Sequence, residues 1–304
     1  MQKQFGFKRQ LILLFAGFIT ALIVIGGIAA VLNLTSFNGT LLTITLQNIV
    51  VFILPAVLVA YIASYGKPMS WLNINIKPQL SVCAMVILIA FISVPAMNWI
   101  VNANESITLP ESMRELEQQL RAIEDAAQNI TKQLIIGSSI PQIIALILTM
   151  GVLTGIGEET FFRGGLQNCF LKHGTNKHLA IWFSAIVFSF MHFQFYGFVP
   201  RMLLGAYFGY LLIATKSLWV PILAHAWNNT LVVLSTYFIE NGIMSDEFEN
   251  IGTAGHSLWL APISAIATAI AIAFLVKLAK RHAIKPATNL ENLKEEENTL
   301  VDDK

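Results

Sequence analysis

LIIGSSIPQIIALILTMGVLTGIG, residues 134–157, runs 24 positions without Asp, Glu, Lys or Arg and leads directly into EETFFR, residues 158–163. A helix needs about 20 consecutive apolar residues to cross the hydrocarbon layer of a bilayer. The run therefore reads as a membrane span, with two adjacent carboxylates at its end. Seven other stretches have the same character: residues 11–34, 40–64, 80–101, 179–195, 198–214, 218–239 and 257–276. Arg201 is the one charged residue inside the eight.

The whole chain fits that reading. Of its 304 residues 55% are hydrophobic and only 12% charged, and the mean hydropathy is +0.65, more apolar surface than one soluble core hides. The expected fold is all-α: a polytopic membrane protein of about eight transmembrane helices, forming one domain over residues 1–282 with its informative core at 134–240. The first span follows Lys3, Lys8 and Arg9 but is longer than the apolar part of a cleavable signal, so it reads as an uncleaved helix.

Lys and Arg are retained on the cytoplasmic side of a membrane protein. Eight spans put both termini on one side. With the amino terminus inside, the cytoplasmic set runs from Lys3 through Lys67, Arg163, Lys172 and Lys216 to the carboxyl-terminal lysines. Only Arg114, Arg121, Lys132 and Arg201 fall outside, 4 of the 19 basic residues. The expected location is a bacterial-type inner membrane with both termini cytoplasmic. A net charge of +1 offers no electrostatic footprint for nucleic acid. The two cysteines, Cys83 and Cys169, match no metal or disulfide spacing and read as ordinary thiols. Nothing in the sequence sets the oligomeric state.

Between spans, the one long polar insertion is residues 102–133, where Met113, Leu116, Leu120 and Ile123 recur at helical spacing among Glu and Gln. It is expected to form an amphipathic helix near the outer interface, as a cover or a substrate gate. Residues 283–304 lack an apolar face and read as a solvated, disordered cytoplasmic tail.

Ionisable side chains are costly in a membrane span, about 2.5–3.5 kcal/mol on insertion scales, and usually face a protein interior or a wet cavity. Neighbours on a helix point about 100° apart, so Glu158 and Glu159 have different surroundings. Arg163 follows Glu159 by four residues, the spacing of a same-face ion pair. Glu159 with Arg163 is thus a supporting pair, and Glu158 is left to project into a cavity, unless the helix end is simply hydrated and both acids face cytoplasm. His192 lies in the fifth span with Phe188 one turn before it. His225 and Asn229, four apart in the seventh span, share one face.

Glu158, His192, His225 and Asn229, from three separate spans, allow two chemistries. The acid and the two imidazoles are a possible zinc set with an open position for water. Without metal, Glu158 and His192 polarise a water while His225 and Asn229 donate to the oxyanion of a tetrahedral intermediate. Both routes hydrolyse an amide. Helical rise places His225 roughly 10 Å below the cytoplasmic surface and His192 roughly 20 Å, so a site reached from the cytoplasm requires Glu158 pulled inward or the fifth helix starting later.

The order EETFFR, FSFMH, HAWNN resembles the EExxxR, FxxxH and HxxxN motifs of the CAAX-protease and bacteriocin-processing (CPBP) family of intramembrane proteases, which includes the CAAX prenyl endopeptidases. The resemblance covers about residues 140–240. It implies an all-helical core whose cavity opens to the cytoplasm, with Glu158 as general base, His192 assisting it, His225 and Asn229 at the oxyanion, and Glu159 with Arg163 in support. It leaves the cofactor as none or zinc. Asn229 suits an oxyanion hole better than a zinc sphere, which favours the metal-free form. The implied partners are membrane lipid and a peptide or lipidated protein substrate, such as a CAAX-like protein or a bacteriocin-type precursor. The competing readings are a secondary transporter with a Glu/His relay and a non-catalytic immunity or scaffold protein. The absence of inverted repeats speaks against the first.

Overall fold

The computed structural model describes residues 5–253 and 257–302, with side chains through Arg281. The chain is an all-helical membrane protein, and no strand occurs among the described residues. The helices are α1 (Phe7–Val31), α2 (Phe37–Ala63), α3 (Leu80–Ile92), α4 (Val94–Glu105), α5 (Arg114–Ile135), α6 (Ile140–Lys172), α7 (Lys177–Phe190), α8 (Phe198–Thr215), α9 (Trp219–Glu240) and α10 (Leu260–Asp302). The tail expected at 283–304 lies outside the residues whose side chains are described, as do His256 and His282.

Each expected span contains a helix, but not each helix is a full crossing. Five are long and apolar enough, and α3 with α4, bent by 51°, forms a sixth. The bend follows Pro95, which has no N–H to give. Ser264 of α10 repairs the break, its hydroxyl donating to Ile92 O and accepting from Ala96 N. α7 has 14 residues, about 21 Å, too short for the roughly 30 Å layer. α9 is long but diluted by His225, Asn228 and Asn229.

α6 is the axis of the fold and corrects the expected fourth span. Gly137, at φ +72°, breaks the chain after α5, and the side chain of Gln142 accepts from Ser139 N to start α6 at Ile140. The helix then runs 33 residues, about 50 Å, so Glu158 stands near its middle and not at its end. Two π-helical stretches, Ile147–Leu153 and Thr160–Gln167, flank the two acids, and a third, Gln47–Ile53, faces them from α2. Such widened turns are frequent at functional sites. Arg163 is fully buried, and so is not one of the cytoplasmic loop charges.

Small residues bring the neighbours onto this axis. A Cβ on Gly155 would stand 2.8 Å from Ala226 N, and one on Gly151 2.6 Å from the Thr230 hydroxyl, so α6 and α9 meet backbone to backbone. On the other side Phe161 packs among Phe15, Phe18 and Phe52, joining α6 to α1 and α2.

α5 is the expected amphipathic helix; its last turn packs Leu134 and Ile135 against Ile143, Leu146 and Val233, and over the rest of its length a polar residue faces the protein. Met113, Leu116, Ile123 and Ile130 stay exposed, whereas Glu124 is buried against the turn after α7. An apolar stripe turned away from the protein fits a helix lying at a membrane surface.

Candidate active site

The α6 spacing produces the ion pair it predicts. Arg163 Nη1 donates to Glu159 Oε1 at 2.8 Å, both side chains having no solvent exposure. Arg163 Nη2 donates to Gly205 O at 2.7 Å, and one turn on, Gln167 Nε2 donates to Gly209 O at 3.2 Å. Two donors four apart on α6 thus meet two carbonyls four apart on α8. Glycine keeps those carbonyls reachable, since a Cβ at Gly205 would stand 3.1 Å from Arg163 Nη2 and one at Gly209 2.6 Å from Gln167 Oε1. Phe162, Phe188 and Phe208 surround the guanidinium, with Phe188 4.7 Å from it. The buried cation is thus paired at both terminal nitrogens, while Arg163 Nε and Glu159 Oε2 have no hydrogen bond.

Glu159 also holds His225. The same Oε1 lies 2.8 Å from His225 Nδ1, which therefore carries the proton of that hydrogen bond. His225 Nε2 is left pointing at Glu158 Oε2, 3.8 Å away, beyond direct hydrogen bonding but within reach of a shared water. The imidazole is fixed further by stacking on Phe208 at 5.0 Å and by the edge of Phe188 at 5.8 Å.

Glu158 is the acid left free. It is 9% exposed, its Oε2 is buried without a hydrogen-bond partner, and it lines a cavity of about 300 Å³. Asn229 lines the same cavity, together with Asn48, Thr131 and Thr154. Asn229 Nδ2 donates one hydrogen to Met150 O at 3.1 Å, leaving the second available.

His192 departs from its expected place. α7 ends at Phe190, and His192 sits in the turn beyond it, just before Phe193 at φ +55°. Its Nδ1 donates to Phe188 O at 2.9 Å, and its ring meets the Phe188 ring at 5.0 Å. It is within electrostatic reach of Glu158 and His225. Phe188 thus touches both imidazoles and the guanidinium.

A zinc ion has a poor fit. Among the described residues no three His, Cys, Asp or Glu side chains converge on one point at ligand distance, Glu158, His192 and His225 included. Only the His225 and Glu158 pair is close.

The cavity reaches from Glu158 toward α5, whose Thr131 forms part of its wall. The other end is closed by the segment after α2: Asn73 O accepts from Leu218 N, Asn73 Nδ2 donates to Lys216 O, Ser217 Oγ to Ile76 O, and Asn168 Nδ2 to Trp71 O.

Asn48 is a site residue that sequence reasoning missed. Its Nδ2 donates to Thr154 Oγ1 at 3.1 Å, its Oδ1 is buried without a partner, and a Cβ on Gly157 would collide with it. The two adjacent amides Gln47 and Asn48 inside the lipid-length run 40–64 were the available signal, and both line the cavity.

Comparison with known proteins singles out this same region. Residues 140–231 match the family described as "Type II CAAX prenyl endopeptidase Rce1-like". A Bacillus subtilis (strain 168) protein named "Putative membrane peptidase YdiL" is 32% identical over 89 residues, which cover 29% of this chain and 36% of that protein. The match therefore spans about a third of the relative's length. No solved structure matches the chain. The resemblance carried by the three motifs is borne out over the segment from Ile140 to Leu231, which holds every residue of the proposed catalytic set.

Proposed function

We propose that this membrane protein, Rce1-like over residues 140–231, is an intramembrane endopeptidase in which Glu158 activates a water without metal. The observation that carries the reading is Glu158, which lines the cavity and whose buried Oε2, without a hydrogen bond, lies 3.8 Å from an imidazole nitrogen whose ring is locked by a second glutamate.

A water bridging Glu158 Oε2 and His225 Nε2 gives up its proton to Glu158 as its oxygen attacks the scissile carbonyl carbon. The carbonyl oxygen becomes an oxyanion, met by the second Asn229 Nδ2 hydrogen. His225, its ring fixed by Glu159 through Nδ1, borders the same point with Nε2. The C–N bond then breaks as Glu158 passes its proton to the leaving nitrogen, yielding a carboxylic acid and an amine. General-base assistance of this kind is worth about 10²–10⁴ in rate, and one oxyanion donor about 2.7–4 kcal/mol. His192, its Nδ1 occupied by Phe188 O, keeps Nε2 to assist the base.

The substrate class is a peptide or lipidated protein held at the membrane. The test is incubation of purified protein with a membrane-tethered peptide and mass spectrometry of the products. New termini in the presence of a chelator, with no stoichiometric zinc in the active protein, are expected. Chelation that removes zinc and activity together contradicts the metal-free form. Uptake of a solute into sealed vesicles with no new termini supports a transporter instead.

A further inference from the structure

Two glycines fix where the neighbours of α6 stand around Glu158. A Cβ on Gly155 would meet Ala226 of α9, and one on Gly157 would meet Asn48 of α2. Residues two apart on an α-helix point about 200° apart, so α9 and α2 pack on opposite faces of α6. Glu158 lies in the arc between them, about 60° from the Gly155 direction and about 100° from the Gly157 direction. The cavity fills that arc, with Thr154 and Glu158 as its floor, Asn229 and Val233 on the α9 wall, and Gln47 and Asn48 on the α2 wall.

Asn48 brings an unanswered acceptor to that wall. The residue is 3% exposed. Its Nδ2 donates to Ile44 O at 2.9 Å and to Thr154 Oγ1 at 3.1 Å, which uses both amide hydrogens. Ile44 O can only accept, so the amide cannot be turned over, and the atom left beside Gly157 is the oxygen. Asn48 Oδ1 is buried with no hydrogen bond. Thr154 does not answer it, because its own hydroxyl hydrogen goes to Thr149 O at 3.1 Å. A buried acceptor without a donor is destabilising, and what this one lacks is an N–H or O–H from outside the protein.

A peptide substrate carries such a donor in the required direction. The C=O and N–H of a trans peptide unit point opposite ways across its plane. With the carbonyl oxygen turned to Asn229 on the α9 wall, the N–H of the same unit faces the α2 wall. We propose that Asn48 Oδ1 accepts that N–H, so that the cavity holds a stretch of unwound substrate backbone between two asparagines. A helical segment has its N–H and C=O groups engaged internally and offers neither. A bond that precedes proline has no N–H to give. The inference rests on the peptidase reading for the direction of the carbonyl, and extends it to the substrate: a secondary amide in unwound chain, not an Xaa-Pro bond.

The test replaces single backbone N–H groups of a fluorescent, membrane-tethered peptide by ester oxygens, one position at a time, and reads binding to the purified full chain in micelles by anisotropy. Glu158→Gln protein is used so that nothing is cut. One position is expected to weaken binding about fivefold to tenfold, and to be the leaving nitrogen of the bond that wild-type protein cuts. Adding Asn48→Leu is expected to abolish the penalty at that position and leave the rest of the scan unaltered. Gly157→Ala, whose methyl displaces the Asn48 oxygen while leaving the Asn48 side chain chemically intact, is expected to do the same. No binding of any peptide, a flat scan, a sensitive position at another nitrogen than the leaving one, or a penalty that survives both substitutions overturns the proposal. A sensitive position coupled to Asn48, with no cleavage by wild-type protein, upholds the backbone contact and sinks the peptidase reading.

Discussion

Glu159 Oε1 accepts a 2.8 Å hydrogen bond from His225 Nδ1, and the same oxygen is 2.8 Å from the guanidinium of Arg163. One carboxylate oxygen thus fixes an imidazole on α9 and balances a buried cation on α6. The tautomer, the direction of His225 Nε2 and the pairing of the most buried charge in the bundle depend on a residue that does not itself reach the cavity.

Two substitutions separate those duties. Glu159→Ala strands Arg163, which has no exposure, and is expected to destabilise the protein by about 3–5 kcal/mol, read as a lowered Tm in micelles. Glu159→Gln keeps an acceptor for both partners but withdraws the negative charge. It is expected to retain more stability and to cleave about a hundredfold to ten-thousandfold more slowly. A Glu159→Gln protein cleaving at the wild-type rate contradicts the orienting role.

Close backbone contact makes the glycines of α6 and α8 intolerant of a methyl group. Gly155→Ala drives a carbon to 2.8 Å from Ala226 N, where only backbone can yield, and is expected to cost the upper end of the roughly 1–3 kcal/mol typical of overpacking. Gly205→Ala, at 3.1 Å from its nearest neighbours, is expected to cost less. Gly26, with nothing within 4 Å, is the control, and its alanine variant gains about 0.5–1 kcal/mol of helix propensity. Thermal unfolding of the three ranks them, and a neutral Gly155→Ala rules out the α6 and α9 contact.

The cap has an acid-sensitive hinge. Glu117 accepts from Leu109 N at 2.9 Å and from Arg121 at 2.8 Å, and these hold its carboxyl below the ordinary glutamate value, the backbone hydrogen bond contributing most. A carboxylate so depressed contributes stability that is present above its unfolded pKa and lost as pH falls through the lower, folded one. Protease cleavage within 102–113 is therefore expected to rise as pH falls through the acid range below the ordinary glutamate pKa. Glu117→Gln is expected to abolish that dependence, and an unaltered pH profile in the variant contradicts it.

The sequence conveyed the helices well because apolar length and charge are direct consequences of the bilayer. It misplaced Glu158 because residues 158–167 look like a hydrated end. Their polar groups are in fact answered inside the protein, Arg163 and Gln167 by the carbonyls of Gly205 and Gly209. Helical spacing revealed the Glu159 and Arg163 pair, a local relation. It could not reveal Glu159 with His225, 66 residues apart, or Asn48 with Thr154, 106 apart. Nor could it show that the stripe of Met113, Leu116 and Ile123 stays exposed while Glu124 is buried, because an apolar stripe fits a lipid surface and a protein groove equally well.

Cleavage of a membrane-tethered peptide by purified Glu158→Gln protein is the most direct measurement. The side chain keeps its shape, but an amide does not take a proton from water near neutral pH. Product formation is expected to fall by at least about a hundredfold, with Tm and micellar elution unchanged. New peptide termini appearing at the wild-type rate would show that another group activates the water.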